Sequence, residues 1–272
     1  VVYWLGVIDE GAKTVFYADN EAYTFANVEA LVARSMVALR ALDICHGDVV
    51  ILRIPDTLDL VTTLLAVQGI GAIAMPTYAQ LRADDLVYRA DDADARLLIA
   101  SADLLDEALP VAHARGGKTP VVAISGDPGG RCHNFADFLP EGEISPDYLD
   151  TDAEELCLFL YTSGSTGAPK GTTHCHRDML AVSDSYWRYC LAPGKDDVLG
   201  GTPSIAFALG FGMFVYFPLR LGHAAILEPD KSPETALAQI QQYNVTIFAG
   251  VVSYYNVLAR LIRETGADVS SL

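Results

Sequence analysis

The chain has 272 residues, 51% of them apolar, and its 35 acidic against 18 basic side chains give a formal net charge of −17. Such an apolar fraction excludes a disordered polymer, and such a charge opposes nucleic acid or an anionic membrane as partner, since both are bound through basic patches. No window reaches the roughly 18 uninterrupted apolar residues of a membrane span. Five scattered cysteines, with neither metal-ligand nor disulfide-framework spacing, point to a reducing, cytoplasmic setting.

Helix-like and strand-like patterns alternate along the chain. Thr24 is placed to cap a helix whose apolar residues Val28, Leu31, Val32, Leu39 and Leu42 recur at helical spacing, and Gly47-Asp48 then opens an extended run at 49–54. The same order recurs as a helix at 58–69 into a strand at 72–76, then 84–92 into 97–100, and 103–114 into 121–125. Short apolar strands separated by helices define an α/β protein, here read as two α/β layered subdomains with mainly parallel sheets flanked by helices.

The segment 140–155, rich in acid, proline and glycine, is expected to carry the chain into a second sheet. The expected subdomains are therefore 1–145 and 146–272. The second reads as a strand at 156–160, a helix at 176–190, a strand near Val198, a helix at 207–221 and a strand at 224–227. A helix at 232–243, a strand at 245–248 and a last helix at 253–264 follow. The apolar stretch 205–221 is interrupted by glycine and proline, and is expected to be buried core.

Residues 161–171 read Tyr-Thr-Ser-Gly-Ser-Thr-Gly-Ala-Pro-Lys-Gly directly after an apolar run. Thr162, Ser163, Ser165 and Thr166 offer hydroxyl donors. Gly164, Gly167 and Gly171 allow positive φ, so backbone N–H groups can converge on an anion, and Lys170 adds a cation. This is the composition of a phosphate cradle. The P-loop of nucleotide triphosphatases fails as an explanation: counting from Gly164, Lys170 is in place, but Pro169 removes the second glycine and its donor, and Gly171 replaces the magnesium-binding hydroxyl.

The loop instead resembles the phosphate loop of the adenylate-forming (AMP-binding) superfamily, which includes acyl-CoA and aryl-CoA synthetases, luciferases and the adenylation domains of peptide synthetases. Tyr23-Thr24-Phe25 is similar to that family's first core motif. Residues 66–72 with Met75-Pro76 resemble its next motif, departing from it at Gln68 and Ile70. After the loop, residues 171–180, 202–210 and 217–220 look like aryl-CoA ligases of the benzoate and 2-aminobenzoate type. Peptide-synthetase domains usually show Phe-Asp-x-Ser where this chain has Phe207-Ala208-Leu209-Gly210.

The resemblance implies that a carboxylic acid, expected to be aromatic and benzoate-like, attacks the α-phosphate of ATP. An acyl-adenylate and pyrophosphate result, and CoA then displaces AMP to give a thioester. ATP, Mg2+ and CoA are the implied cofactors and co-substrates. Carried over by position, Thr162, Ser163, Gly164, Ser165, Thr166, Gly167 and Lys170 hold the β- and γ-phosphates, with Lys170 as the catalytic cation. Phe207 or Ala208 occupies the gate between nucleotide and acid, the register between them being open. Gly250 and Tyr254 belong to the second pocket wall, where Gly250-Val251-Val252 replaces the usual Ala-Pro-Thr and makes the wall more apolar.

His174 and His176 beside the loop invite a catalytic role. The alternative is the start of a helix, with Asp178 or His176 capping it. A carboxylate is already a nucleophile at neutral pH and needs no histidine base. The resemblance covers the N-terminal portion of a full enzyme. The adenine, ribose and hinge motifs and the C-terminal lid with its lysine are expected beyond Leu272, so the isolated chain is expected to be an incomplete fragment with little ligase activity. A non-aromatic acyl-CoA synthetase, or a truncated protein binding nucleotide or a partner without turnover, are the competing readings.

Overall fold

In the computed structural model, which describes residues 11–162 and 167–272, the alternating patterns become two sheets with their helices. In chain order the elements are β1 (Thr14–Ala18), β2 (Glu21–Thr24), α1 (Phe25–Ala41), β3 (Val49–Arg53), α2 (Leu58–Gly69), β4 (Ile73–Pro76), α3 (Ala83–Asp92) and β5 (Leu97–Ser101). Next come α4 (Leu105–Ala114), β6 (Val121–Ile124), β7 (His133–Asn134), β8 (Leu156–Thr162), β9 (Lys170–Cys175) and α5 (His176–Val182), which continues as a π-helical stretch, Ser183–Leu191. The chain ends with β10 (Val198–Gly201), α6 (Ala208–Phe211), the π-helical Gly212–Tyr216, α7 (Phe217–Leu221), β11 (Ala224–Ile226), α8 (Pro233–Tyr243), β12 (Ile247–Ala249) and α9 (Val252–Thr265).

The first unit gathers 27–55 and 59–178 around a sheet of order β7-β6-β5-β3-β4-β8-β9. All its strands run parallel except β9, which returns antiparallel along β8. Every residue of β3, β4 and β5 is buried, as expected of parallel strands covered on both faces. On one face Ile51, Met75 and Leu98 pack with Leu86 and Ala90 of α3 and with Leu105, Ala108 and Val111 of α4. Their alternates Val50, Leu52 and Ile99 are as deeply buried on the other.

The segment 140–155 does not lead into the second sheet. It stays on the first unit, where Arg40 donates to the Asp147 carbonyl at 2.7 Å and the Leu149 N–H to the Gly69 carbonyl at 2.9 Å. It then delivers β8 alongside β4, with Leu158 opposite Ala74. The compact units accordingly part at 178/179 and not at 145/146. The physical reason is that the apolar 156–160 run completes a sheet already begun, instead of nucleating a new one.

The second unit holds, of the described residues, 11–26, 56–58 and 179–272. Its sheet has the order β12-β10-β11-β1-β2. β1 and β2 form a hairpin across Asp19 and Asn20, both at positive φ, which suits the tight turn that joins two twisted strands. β1 pairs parallel with β11, Phe16 opposite Ala225. Ile226, Leu237, Ile240, Val245 and Leu258 form the core beneath α8 and α9.

Of the stretch 205–221 expected to be core, residues 205–206 and 210–219 are buried, whereas Phe207, Ala208 and Leu209 are exposed. That helix is not uniform, however. Pro218 has no N–H to return to the preceding turn, and the backbone widens to π-helix just before it.

Candidate functional site

The loop 163–169 leaves the carboxyl end of β8, on the edge of the parallel strands where open α/β sheets bind their ligands. Ser163, Gly164, Ser165 and Thr166 lie outside the described residues. Thr162, Gly167 and Lys170 are described and exposed. Thr162 stands opposite Lys170 in the last pair of the β8–β9 hairpin. Directly opposed residues put their side chains on one face with Cβ atoms roughly 5 Å apart. The pairing therefore sets a hydroxyl donor and an ammonium side by side at the mouth of the loop. Gly167, with φ at +154°, adopts a backbone conformation that L side chains rarely take.

The opposite face of the hairpin is clamped by α3, a feature that motif reading did not reveal. Tyr161 is buried, and its hydroxyl donates to Asp92 at 2.6 Å. The Arg89 guanidinium lies 5.0 Å from the Tyr161 ring centroid, and the Tyr88 hydroxyl donates to the Pro169 carbonyl at 3.0 Å. Tyr88 and Asp92 are four residues apart on the helix, hence on one face. Burial, then the Asp92 hydrogen bond, raise the phenol pKa of Tyr161, so it remains a protonated donor. Gly171 meets the same ring: a Cβ there would come within 3.1 Å of it. We expect Tyr161→Phe to cost about 1 kcal/mol in denaturant unfolding, the usual net worth of one hydrogen bond, because the exposed Asp92 carboxylate turns to water once its donor is gone. No change in unfolding midpoint would show that the clamp carries no stability.

Asp178, and not a histidine, caps α5. Its Oδ2 accepts the Cys175 N–H at 3.0 Å, satisfying a donor at the helix start. His174 Nδ1 stands 4.0 Å from the same carboxylate. His176 is buried, and burial pushes its pKa down to about 4, more strongly than nearby Glu155 raises it. His223 in the second unit is shifted in the same direction, also chiefly by burial, and neither of its ring nitrogens has a hydrogen-bond partner among the described residues.

A folded-state pKa below the unfolded 6.5 means that the unfolded chain takes up the proton first. The contribution of His176 is thus complete above pH 6.5 and is lost as pH falls towards 4, reaching about 2 kcal/mol by pH 5. Urea unfolding at pH 7 and pH 5 should show this loss in the parent and a smaller one in His176→Asn; equal losses would refute it.

The pocket candidates lie in the second unit. Phe207 immediately precedes α6 and is 47% exposed, so it is not a core residue, and Ala208 beside it is exposed as well. Gly250 is half-buried, with the Tyr255 ring 3.5 Å from where a Cβ would stand. Tyr254 is held structurally: its hydroxyl donates to the Ser232 carbonyl at 3.0 Å and its ring stacks on Phe248 at 6.2 Å. Burial raises its pKa to about 12.

Among the described residues no three His, Cys, Asp or Glu side chains gather to hold a metal ion, and no helix is long and apolar enough to cross a membrane. All five cysteines are free thiols.

The chain belongs to the AMP-binding enzyme family, whose model matches residues 9–272. It is similar to the benzoate–CoA ligase of Thauera aromatica, 32% identical over 251 residues that cover 90% of this chain and 46% of that protein. It is also similar to the p-hydroxybenzoic acid–AMP ligase of Mycobacterium marinum, 29% identical across 97% of this chain and 36% of that protein. In three dimensions it superposes on the anthranilate CoA ligase AuaEII, solved with anthranoyl-AMP, at a TM-score of 0.93 and 24% identity, covering 100% of this chain and 53% of that one. That likeness establishes the fold. The chain spans about half or less of the length of these relatives.

Proposed function

We propose that this chain forms the N-terminal, nucleotide- and acid-binding part of an aryl-CoA ligase. The carboxylate of a small, benzoate-like acid attacks the α-phosphate of ATP, an acyl-adenylate forms as pyrophosphate leaves, and the thiol of CoA then displaces AMP. The observation that carries this reading is the Thr162–Lys170 pair at the mouth of the loop, on the carboxyl edge of a parallel sheet. A donor hydroxyl and a cation there suit the charge that builds on the β- and γ-phosphates, and fixed positioning of that kind is the main source of catalysis in phosphoryl chemistry.

Ser163, Gly164, Ser165, Thr166 and Gly167 complete the cradle in this reading, with Phe207, Ala208, Gly250 and the ring of Tyr254 bordering the acid. In this reading Mg2+ enters as part of the ATP co-substrate. The free thiols support a reducing, cytoplasmic location. The benzoate–CoA ligase relative supports an aromatic acid and CoA as the acceptor.

The test is pyrophosphate release by the full-length gene product over a panel of benzoates, 2-aminobenzoate and aliphatic acids, with products resolved by chromatography. Release with aromatic acids and an aryl-CoA product is expected. Preference for an aliphatic acid overturns the aryl assignment, acyl-adenylate accumulating in the presence of CoA overturns the ligase assignment, and no release with any acid supports a non-catalytic binding protein.

A further inference from the structure

Asp56 is a buried carboxylate, 7% exposed, that motif reading passes over. Its Oδ1 accepts the Ser204 hydroxyl at 3.0 Å and the Ile205 N–H at 3.1 Å, while its Oδ2 pairs with Lys231 Nζ at 3.1 Å. A charge at that depth is tolerated only where donors replace its lost hydration. Here the donors come from two separate stretches, the turn before α6 and the segment before α8.

The turn is fastened further from within. Ser204 Oγ accepts the Ala206 N–H at 3.3 Å, and the Ser204 carbonyl accepts the Phe207 N–H at 3.0 Å. Three successive N–H groups, at 205, 206 and 207, are thus fixed by Asp56 and the serine it holds. Lys231 in turn lies 5.6 Å from the Phe214 ring centroid, in the π-helical stretch. Immediately after this anchored turn the chain passes from fully buried Ile205 to half-exposed Phe207. The carboxylate therefore decides where Phe207 and Ala208 emerge. A buried ion pair adds little net stability compared with an apolar replacement, but its hydrogen bonds impose one geometry.

We infer that Asp56 is a positioning residue for the acid pocket: through Ser204 and the Ile205 N–H it holds the Phe207–Ala208 rim, and so sets which acid fits without touching it. This rests on the reading above that 207–208 border the acid.

The test uses Asp56→Asn, Asp56→Ala and Ser204→Ala in the full-length protein, with pyrophosphate release measured while the acid and ATP are varied separately, and thermal unfolding measured alongside. Asparagine keeps an oxygen acceptor for the turn but gives up the charge that Lys231 pairs with; alanine removes both. KM for the acid is expected to rise about tenfold in the alanine variant and about threefold in the asparagine variant, with KM for ATP within about twofold of the parent. Ser204→Ala, which leaves Asp56 in place and so keeps the test available if Asp56→Ala does not fold, should shift the acid KM in the same direction. An unchanged acid KM in folded variants, or equal rises for acid and ATP, overturns the inference. The wild type separates the two readings: if it releases no pyrophosphate with any acid, the proposed function fails and takes the pocket role with it, whereas an active wild type with indifferent variants refutes only Asp56.

Discussion

Lys170→Met is expected to slow pyrophosphate release by about a hundredfold, the loss found when one preorganised donor to a developing charge is removed. Methionine retains most of the stem and discards only the charge. Lys170 is exposed and begins β9, where its backbone pairs with Thr162, so its side chain is not needed for the fold. The unfolding midpoint should therefore stay within about 0.5 kcal/mol of the parent, as for other surface substitutions. In an acidic chain of net charge −17 the loss cannot be made good by a general positive field. Lys170→Arg keeps the charge but replaces a compact ammonium with a planar fork, and should recover only part of the rate. A Lys170→Met enzyme with parental turnover would remove the loop from the mechanism.

Gly210→Ala should destabilise the second unit by about 3 kcal/mol, the upper range for overpacking a closed site. A Cβ at this position would stand 2.1 Å from the Ser204 carbonyl oxygen and 2.7 Å from that of Pro203. Both obstacles are backbone, and Ser204 belongs to the turn that Asp56 anchors, so neither can rotate aside. The helix would have to back away from the turn, drawing the buried residues Phe211 to Leu219 with it. Gly250→Ala is the control. Its Cβ would meet the Tyr255 ring at 3.5 Å, ordinary contact, and about 0.5 kcal/mol or less is expected. Equal unfolding midpoints for the two variants would refute the steric argument.

Much of the first unit was legible from pattern alone. The strands 49–54, 72–76, 97–100 and 121–125 and the helices between them are nearly those observed, because buried parallel strands are continuous apolar runs and their helices carry a helical period. β9 was not legible. Lys170 to Thr173 are exposed on an edge strand with no apolar face, and only the paired threonines hinted at extended backbone. The β1–β2 hairpin was also missed, although Asp19-Asn20 between extended residues was a usable turn signal. At the site, the motif offered the loop residues as candidates. The α3 clamp on Tyr161 and the Asp56 anchor could not, since each joins residues that are remote in sequence: Asp92 to Tyr161, and Asp56 to Ser204, Ile205 and Lys231.

By itself the sequence determined the α/β class, the order of helices and strands, and the family through one loop, since these depend on periodicity and on local backbone chemistry. Tertiary structure alone decided that β8 extends the first sheet, that β1 pairs with β11 across some two hundred residues, and which carboxylate fastens the turn before Phe207. The reason is physical. Backbone donors and acceptors are the same in every strand, so partner choice is settled only when distant apolar faces are buried together and each buried polar group must find its counterpart.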